Sequence, residues 1–591
     1  MSVFKTLTHR VDFCVVGGGL AGICAAVEAA RRGVKTALMQ DRPMLGGNAS
    51  SELRMWVMGA RGKNVRETGI VEELMLENYY RNPYKNFSIW DSILWEIVHN
   101  EKNITLILNC SCMDAETGPG FEGRRLLSVT GWQTTTQTFH QVYAVNFADC
   151  SGDSILAPLS GAEYRHGHEA RGEYGESIAP PWADRKTMGS SILIQARETP
   201  APKVFIPPAW AEKFTREKLR HRLPDLHNDG ENFWYLELGG VKDTIADAEE
   251  IRDELVATAY GMWDFVKNDP ENREKNANFD VDWIGFLPGK RESRRYTGDH
   301  VLCQGDVESG GVFDDIAAYG GWPMDDHDSE GLRGSGPPNV NYPVPSPFGI
   351  PYRCLYSRNV ENLFCAGRNI SVSHTALSST RVMATCGTLG QAVGAAAAVA
   401  FRHGQTPRGV YRLYVKELQR VLMEDDCWLP GLHREASALT AAAVLRAPGG
   451  NAEVLRNGVD RPIAAEDGGV YLKFGERAEY LFEKTVRLNR VRLVFDSDLN
   501  RETQRERELY RRPMFATYYL DAGDTWIPKT MVKDFNIHLT LPGEVKKTVE
   551  VRGNHQRLVY VGINEDVIAV AFEPLSTWGR SEAHVFAFEG E

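Results

Sequence analysis

The sequence lacks the features that define several classes of protein. Its ten cysteines include no Cys-x-x-Cys pair and no spacing typical of a zinc site, which indicates reduced thiols and no bound metal. Cys110 and Cys112 alternate along one predicted strand and are expected to be small core residues. The N-terminus contains Lys5, His9 and Arg10 and has no apolar stretch like that of a signal peptide, so we expect a cytoplasmic protein.

Basic residues are too few for a protein that binds polyanions. The chain has 67 Lys and Arg against 79 Asp and Glu, and its net charge of -12 repels phosphate backbones and anionic lipids. We therefore expect neither nucleic acid nor a membrane as a partner. Residues 382–401 carry no charge and reach the length of a membrane span, but Ala, Gly, Thr and Gln dominate them. This segment predicts a buried helix of a soluble protein.

What remains is an ordinary globular composition with a modest excess of glycine. The chain is 42% hydrophobic and 25% charged, which excludes a disordered or fibrous protein. A length of 591 residues predicts roughly two to four domains. The 55 glycines exceed the usual share of about 7%, and such an excess often marks places where the backbone approaches a ligand closely.

The N-terminal segment has the pattern of a βαβ unit. The apolar run 11–16 predicts a strand, a helix follows and ends at Gly33, and residues 34–40 predict a second buried strand. Residues 17–22 read Gly-Gly-Gly-Leu-Ala-Gly, which places a Gly-x-Gly-x-x-Gly motif between the first strand and the helix. This arrangement is typical of a dinucleotide-binding turn.

Each glycine of the motif has a physical role in such a turn. Gly17 permits the tight turn, Gly19 lets the backbone reach a pyrophosphate, and Gly22 lets the helix and strand pack closely. The first helical turn, with Leu20 and Ala21, supplies N–H groups that bind the anion.

The end of the second strand departs from the usual pattern. An acidic residue normally binds the ribose hydroxyls there, whereas this sequence has Gln40 at that position, followed by Asp41 and Arg42. The amide of Gln40 is also able to bond a hydroxyl, so all three residues stay candidates for the ribose contact.

The next segment gives the motif a family resemblance. The run VVGGGLAGICAAVEAARRGVKTALMQDRPMLGGNASSE, residues 15–52, resembles FAD-dependent oxidoreductases of the glutathione-reductase type, most closely the fumarate-reductase-like branch. The resemblance implies that the second glycine segment runs beside the pyrophosphate and ribityl chain, and it favours FAD over NAD. The absence of a closely spaced cysteine pair beside the motif argues against a dithiol-disulfide flavoenzyme. The residues that the resemblance implies here are Gly46, Gly47, Asn48, Ser50 and Ser51.

Two later segments resemble further parts of the same fold. A strand at 142–148 ends in Asp149-Cys150-Ser151-Gly152-Asp153, which resembles the family turn that closes the first half of the FAD domain, although a simple surface turn has the same residues. Residues 362–374 resemble the final strand and loop around the ribityl chain and isoalloxazine. The implied cofactor contacts are Asp149, Gly152, Asp153, Gly367, Arg368, Ser373 and Thr380. Ser378, Ser379 and Thr380 are also predicted to cap the helix that follows.

The fold class expected is an α/β FAD-binding Rossmann-like domain, split in sequence, with an inserted α+β cap or substrate domain and a C-terminal all-β sandwich. The predicted domains are residues 1–165 and 336–405 for the FAD-binding domain, 166–335 for the cap, 406–435 for a helical linker and 436–591 for the sandwich.

Three motifs outside the glycine segments carry charge or stiffness. Residues 289–295 place four cations around Glu292, which predicts an anion site, a domain contact or a solvated surface. Residues 320–328 predict a turn that is a surface feature, a weak metal site or part of the active site. The proline-rich segment 345–355 predicts an extended strand that brings Tyr352 and Arg353 to the flavin, or a plain connector.

The C-terminal part has the short alternating runs of an antiparallel sandwich. The predicted strands are 470–474, 479–482, 486–495, 549–551, 558–561 and 567–572. Residues 457–462 and 486–500 resemble galactose-binding-like jelly rolls, which implies a structural or oligomerising role, with glycan binding as the alternative. The charge run 501–512 predicts a solvated loop or helix, or cover for a subunit interface in a homo-oligomer.

Together these patterns predict an FAD-dependent oxidoreductase that transfers hydride between a small molecule and flavin N5. His374 or His327 is the expected base for a substrate hydroxyl, and Arg353 the expected partner of a carboxylate or carbonyl. The sandwich and the aromatic cap favour a carbohydrate-derived substrate, and the fumarate-reductase resemblance favours reduction or desaturation of a carboxylate. An RNA-modifying flavoprotein is disfavoured by the acidic charge. A carbohydrate-binding scaffold without enzyme activity is a further alternative.

Overall fold

Alternating helices and strands in the N-terminal part give way to strands near the C-terminus. The computed structural model describes residues 3–228, 230–448, 451–464, 466–501, 514, 516–521 and 525–591. The α-helices are α1 Leu20–Arg31, α2 Ile70–Arg81, α3 Phe87–His99, α4 Leu156–Ser160, α5 Arg171–Tyr174, α6 Arg216–Leu219, α7 Ala248–Asn268, α8 Gln304–Glu308, α9 His374–Thr380, α10 Met383–His403, α11 Pro407–Glu424 and α12 Ala438–Ala442.

The first twenty strands are β1 Lys5–Arg10, β2 Phe13–Val16, β3 Thr36–Met39, β4 Ile104–Ile107, β5 Cys110–Gly120, β6 Gly123–Gln133, β7 Thr138–Tyr143, β8 Asn146–Asp149, β9 Tyr164–Arg165, β10 Ser190–Ser191, β11 Ile194–Glu198, β12 Glu237–Leu238, β13 Phe279–Ile284, β14 Gly289–Lys290, β15 Arg295–Tyr296, β16 Ile316–Gly320, β17 Met324–His327, β18 Asn339–Tyr342, β19 Phe348–Pro351 and β20 Leu363–Cys365. The later strands are β21 Val444–Arg446, β22 Val470–Lys473, β23 Ala478–Phe495, β24 Thr517–Tyr518, β25 Val532–Thr540, β26 Lys546–Val551, β27 Leu558–Thr577 and β28 Glu582–Gly590.

A five-stranded parallel sheet carries the first glycine turn. Its strand order is β20-β8-β2-β3-β4, and every neighbouring pair is parallel. Strand β20 pairs with β8 although more than two hundred residues separate them in sequence, so the domain is split as predicted. All four residues of β2 are buried, as expected for a parallel sheet that is covered on both faces.

Helices α1 and α10 pack against each other with their backbones in close approach. A Cβ atom added at Gly390 would lie 2.0 Å from the carbonyl oxygen of Ala21, and one at Gly394 would lie 2.4 Å from that of Ala25. Within the described residues α10 is the one helix long and apolar enough to cross a membrane, and 94% of its most apolar window is buried inside the protein. The burial confirms the predicted core helix.

A second sheet covers the other face of the parallel sheet. Strands β5, β6 and β7 are antiparallel neighbours, and β1 adds to β7 in parallel. Cys14 and Val16 of β2 share a hydrophobic core with Leu126 and Val129 of β6. The region has three layers, with helices on one face of the parallel sheet and the antiparallel sheet on the other.

The inserted region contains short strands and one long helix. Helix α7 places Ile251, Leu255, Met262 and Trp263 on one buried side, at the spacing of helical turns. These residues pack with Ile194 of β11, which belongs to the small sheet β13-β11-β24. This region is the α+β part of the predicted fold.

The C-terminal strands form one hydrogen-bonded network in the order β22-β28-β23-β27-β25-β26, with β21 beside β23. Strand β23 covers two of the predicted strands and β27 covers two more, because register shifts at bulges bend each strand without ending it. Strands β21, β25 and β28 were not predicted. The strands enclose a hydrophobic core that includes Val491, Phe535 and Phe572. This is the predicted all-β sandwich.

The contacts divide the chain into two units. One contains Met1–Ala60, Lys85–Leu418 and Arg512–Gly523, and the other contains Arg61–Tyr84, Gln419–Arg511 and Asp524–Glu591. The second unit thus includes α2, whose Leu76 and Tyr79 belong to the core of the sandwich. The borders predicted between the individual domains stay predictions. Except for Arg501, the charge run 501–512 lies outside the described residues.

Candidate functional site

The first glycine turn leaves room for a ligand on one side only. Gly17 has a φ of 105°, and a Cβ there would lie 2.4 Å from the carbonyl carbon of Cys150. A Cβ at Gly22 would lie 1.8 Å from the carbonyl oxygen of Gly17. At Gly19, in contrast, an added Cβ meets nothing closer than 4.0 Å. The turn is therefore closed towards the protein and open beside Gly19.

The N-terminus of α1 faces this open side with positive polarity. Its first turn, at Leu20, Ala21 and Gly22, contains no acidic side chain. The N–H groups of a first helical turn have no acceptor within the helix and attract anions. Gly367 lies close by, since a Cβ added there would be 3.5 Å from the Cβ of Ala21. The turn after β20 therefore returns to the same helix end.

The second glycine segment lies directly beside the first. The N–H of Gly46 donates to the carbonyl oxygen of Gly18 at 2.8 Å, and Gly19 and Gly46 form a parallel bridge. A Cβ at Gly47 would lie 3.2 Å from the Cα of Gly19. Ser50 donates from its hydroxyl to the carbonyl oxygen of Gly47 at 2.8 Å. The two glycine segments, residues 17–22 and 46–47, thus form one cradle in which the backbone is not covered by side chains.

Gln40 connects these two segments. Its Oε1 accepts from the N–H of Gly18 at 2.7 Å, and its Nε2 donates to the carbonyl oxygen of Met44 at 3.1 Å. The side chain is buried, whereas Asp41 is exposed and Arg42 is half-buried, 3.5 Å from Glu52. Gln40 thus holds the cradle in shape, and the ribose contact of these three residues stays a prediction.

The turn after β8 is a buried polar junction. The carboxylate of Asp149 accepts from the hydroxyl of Tyr296 at 2.7 Å, from the N–H of Leu156 at 2.8 Å and from Ser151. Burial raises the pKa of Asp149, although these hydrogen bonds oppose the rise. Asp149 therefore fixes the loop geometry after the strand.

Asp153 joins the cradle to the segment that follows β13. It lies 2.6 Å from Nζ of Lys290 and 2.9 Å from Nη2 of Arg368, and it accepts from the hydroxyl of Ser293 at 2.8 Å. Burial alone would raise the pKa of Asp153, but Arg368 and Lys290 outweigh it and lower the pKa to about 2. Asn48 donates to the carbonyl oxygen of Lys290 at 3.1 Å.

Three of the four cations of residues 289–295, namely Lys290, Arg291 and Arg295, are thus paired with carboxylates of the protein and do not form a solvated cluster. Arg291 and Arg295 are buried, at 8% and 1% exposure. Arg291 lies 3.3 Å from Glu237, and Arg295 bonds to Glu169 at 2.7 Å and to Glu292. Of the three predicted roles, the contacts favour a junction between chain segments.

His374 is the first residue of α9, which Ser373 caps through the N–H of Ala376. Its Nδ1 lies 2.8 Å from Oε2 of Glu292, and its Nε2 lies 3.4 Å from Oδ1 of Asp326. Burial alone would lower the pKa of His374, but the charges of Glu292 and Asp326 raise it to about 10. The imidazole is therefore a cation at neutral pH.

Glu292 holds this cation from a fully buried position. Its carboxylate also accepts from the N–H of Met188 at 2.9 Å and pairs with Arg295. Burial opposes ionisation, but His374 and Arg295 lower the pKa of Glu292 to about 2. Since Ser293 and Lys290 bond to Asp153, one short segment links His374 to the cradle.

His168 was not predicted from the sequence, yet it contacts His374. The two ring centroids are 3.9 Å apart at 67°, and Nδ1 of His168 lies 2.7 Å from Oδ1 of Asp184. Gly167 has a φ of 83°, and a Cβ added there would lie 2.2 Å from the carbonyl oxygen of Asp184. The close approach of the two segments therefore requires glycine at this position. The run His-Gly-His-Glu at 166–169 is the only trace of this site in the sequence.

His327 lies in a second buried ionic group. Its Nδ1 is 2.6 Å from Glu237 and its Nε2 is 3.3 Å from Asp325. Burial would raise the pKa of both carboxyls, but Arg291 and His327 lower that of Glu237, and His327 and Arg381 lower that of Asp325. Met324–His327 of this segment form strand β17, and the place in the active site that was one of the three alternatives stays a prediction. No group of metal ligands occurs among the described residues.

Arg353 lies apart from the two histidines. It follows β19 in a short 3-10 turn, where its Nε and Nη2 each donate to Asp315 at 3.0 Å. Its guanidinium also lies over the ring of Tyr411. The segment before it is extended, as predicted, but the described contacts do not join Arg353 to His374 or His327. Its role in binding substrate stays a prediction.

The predicted capping by Ser378, Ser379 and Thr380 is wrong. These residues lie inside α9, and the N-cap of α10 is Val382, which makes no side-chain cap. The chain bends between the two helices. Oγ1 of the fully buried Thr380 and Oδ1 of the fully buried Asn369 have no hydrogen-bond partner among the described residues.

These features fit a bound flavin dinucleotide. The cradle has open backbone at Gly19 and a positive helix end at α1, and buried polar atoms without partners lie on the returning segment. Such a fold and site define a dinucleotide-binding protein.

Comparison with known proteins gives the family. The family model described as FAD dependent oxidoreductase matches residues 12–422. The chain belongs to this family, and it is an enzyme that uses FAD as its cofactor.

Individual relatives are more distant. Glycerol-3-phosphate dehydrogenase of Mycobacterium leprae (strain TN) is 37% identical over 70 residues, and the match spans 12% of this chain and 12% of that protein. A geranylgeranyl bacteriochlorophyll reductase-like protein of Thermoplasma acidophilum has a TM-score of 0.32 and 12% identity, covering 71% of this chain and 86% of that one. The family 32 carbohydrate-binding module of Streptococcus pneumoniae EndoD has a TM-score of 0.19 and 12% identity, covering 26% and 99%.

Proposed function

We propose that the protein oxidises a hydroxyl-bearing small molecule by hydride transfer. Bound FAD supplies the hydride acceptor at its N5. The observation that carries the proposal is the group formed by the buried His374 and the partly exposed His168 and Asp326, which one segment through Glu292 connects to the cradle. Oxidation of an alcohol requires a group that takes the hydroxyl proton and a group that stabilises charge on oxygen, and imidazoles perform both tasks.

The chain's residues have separate tasks in this proposal. Gly19 and the first turn of α1 bind the pyrophosphate, and Gln40 keeps the two glycine segments in register. His374, held as a cation by Glu292, is suited to stabilise negative charge on a substrate oxygen and not to accept a proton. This differs from the role of base predicted for His374.

The charges around the site favour a hydroxyl over a carboxylate substrate. Arg291 and Arg381 each contact a carboxylate of the protein itself. A substrate carboxylate would have to displace one of these partners, and a buried charge left without its partner is costly. A neutral polyol or sugar avoids this cost. The reduction or desaturation of a carboxylate is therefore the less favoured reaction.

The test is anaerobic reduction of the purified protein. We expect the visible absorption of bound flavin to bleach when a sugar or polyol is added, and to persist with dicarboxylic acids of similar size. Each compound is added to the same holoprotein, with dithionite as the positive control for reduction. Bleaching by dicarboxylic acids alone would replace this proposal with the carboxylate reaction, and bleaching by neither class would refute it.

A further inference from the structure

The two adjacent histidines differ in their partners. His374 contacts two carboxylates, Glu292 and Asp326, one at each ring nitrogen. His168 contacts one carboxylate, Asp184, through Nδ1, and its Nε2 makes no hydrogen bond among the described residues. An imidazole with one nitrogen held by a carboxylate and the other open has the arrangement of a general base.

A shared set of contacts holds the two rings in place. Arg295 donates to the carbonyl oxygen of Gly167 at 2.7 Å, and it pairs with Glu292, which bonds to His374. The N–H of His374 donates to Glu169, the residue after His168. The relative position of the rings is therefore set by buried bonds and not by loop packing alone.

The electrostatic surroundings separate the two rings further. The charged groups that face His168 are Asp184, His374 and Glu292. Burial and the positive charge of His374 lower the pKa of His168, and the two carboxylates oppose this only in part. A cation in contact with a neutral imidazole disfavours a second positive charge.

We propose that His168, oriented by Asp184, accepts the proton of the substrate hydroxyl. His374 stays charged and stabilises the same oxygen, which takes the place of Asp326 at Nε2, where the contact is long at 3.4 Å. The inference rests on the proposed function and deepens it, because it requires a substrate with an oxidisable carbinol group.

The substrate loses a hydride from carbon and a proton from oxygen. The substrate C–H bond breaks and its electron pair leaves with the hydrogen as hydride, which reduces the flavin. The O–H bond breaks and its proton passes to Nε2 of His168. The carbinol carbon becomes a carbonyl carbon and is oxidised by two electrons. His168 then carries a positive charge beside His374, which favours release of the proton to solvent before the next turnover.

The protonation difference is tested without turnover. Hydrogen–deuterium exchange at the C2 position of each histidine, followed by peptide mass spectrometry across pH, gives a midpoint for every imidazole of the holoprotein. We expect the midpoint of His168 below about 6.5 and that of His374 above it. In Asp326→Asn the midpoint of His374 should fall, and that of His168 should rise because its charged neighbour is weakened. The reverse order of the two midpoints in the unmodified protein would overturn the assignment.

The chemical role is tested with His168→Gln and the matched control His221→Gln. His221 has an exposed side chain in the same unit of the chain. With a substrate that bleaches the wild type, His168→Gln should reduce flavin about 10²- to 10⁴-fold more slowly at saturating substrate, with flavin content unchanged. His221→Gln should stay close to wild type. Equal losses in both variants, or none in His168→Gln, would contradict the inference.

The two proposals fail in distinguishable ways. If no compound bleaches the wild type, the proposed function is refuted, and with it the chemical role of His168. If a polyol bleaches the wild type and the midpoints lie in the reverse order, the oxidation stands and His168 is not its base.

Discussion

The charge on His374 illustrates how neighbours decide the chemistry of a single residue. An imidazole in water titrates near pH 6.5, so it is equally suited to be an acid or a base. Glu292 and Asp326 contact its two nitrogens and favour the charged form, which outweighs the cost of burying a cation. The neighbouring ring, His168, has the opposite shift. Two residues of one type in contact thus have pKa shifts in opposite directions.

At the residue scale we predict that Gly22→Ala yields a protein without FAD. The added Cβ would lie 1.8 Å from the carbonyl oxygen of Gly17, so either the turn or the start of α1 must move. Flavin content after purification, measured by absorbance relative to protein, should fall to a small fraction of the wild-type value.

The matched control is Gly172→Ala, where an added Cβ meets no atom within 4 Å. It should retain full flavin content and the wild-type melting temperature. A Gly22→Ala protein with normal flavin content would show that the first glycine turn does not position the cofactor.

Sequence patterns identify the cradle better than the histidine group for a physical reason. Gly17, Gly19 and Gly22 lie within six consecutive residues, so their spacing in the sequence is enough to identify the turn. His374 and Glu292 are 82 residues apart in sequence, and His168 is more than two hundred from His374. Such partners are brought together only by the fold, and their pKa shifts follow from it.

At the element scale the packing of α1 against α10 is the feature most sensitive to added volume. Gly390 faces Ala21 and Gly394 faces Ala25, backbone to backbone. Because α1 begins at the cradle, a shift of α10 would also move the anion-binding end of α1. Glycine at positions 390 and 394 is thus required for helix packing, and through the position of α1 also for cofactor binding.

We therefore predict that Gly390→Ala destabilises the protein although alanine favours helix formation. The new Cβ would lie 2.0 Å from the carbonyl oxygen of Ala21, and overpacking of this kind costs about 1–3 kcal/mol. The measurement is the thermal melting temperature of the holoprotein. Gly305→Ala, in helix α8 with no atom within 4 Å of its added Cβ, should melt at or slightly above the wild-type temperature. An unchanged melting temperature for Gly390→Ala would mean that the two helices separate without cost.

The C-terminal strands show where local patterns mislead at this scale. Two predicted strands, 479–482 and 486–495, are halves of β23, since the pairing shifts register between Leu481 and Val486 without breaking the strand. Strand β28 lacks the expected alternation because nearly all of its residues are buried. Alternation therefore overlooks a strand such as β28 that is covered on both faces, whereas β25, whose burial does alternate, was missed although its pattern is present.

At the scale of the whole molecule, buried ion pairs replace apolar contacts at several junctions. In the unit that contains the sandwich, Glu72 of α2 pairs with Arg501, and both side chains are 1% exposed. Burial alone would raise the pKa of Glu72, but Arg501 and Arg66 outweigh it and lower the pKa to about 2. The pair joins chain segments that are more than four hundred residues apart, so it stabilises the unit only while Glu72 is ionised.

This pair predicts how stability depends on pH. A carboxyl whose pKa is lower in the folded state contributes its full stability above its unfolded pKa of 4.5 and loses it as the pH falls towards 2. Glu72→Gln leaves Arg501 buried without its charge partner and should cost about 3–5 kcal/mol at pH 7. The difference in melting temperature between wild type and Glu72→Gln should therefore be large at pH 7 and shrink between pH 4.5 and pH 3. Glu483→Gln, which changes an exposed carboxylate of β23 in the same unit, should match the wild type throughout. Because the loss comes from protonation, a difference that stays constant down to pH 3 would show that Glu72 acts through its shape and not its charge.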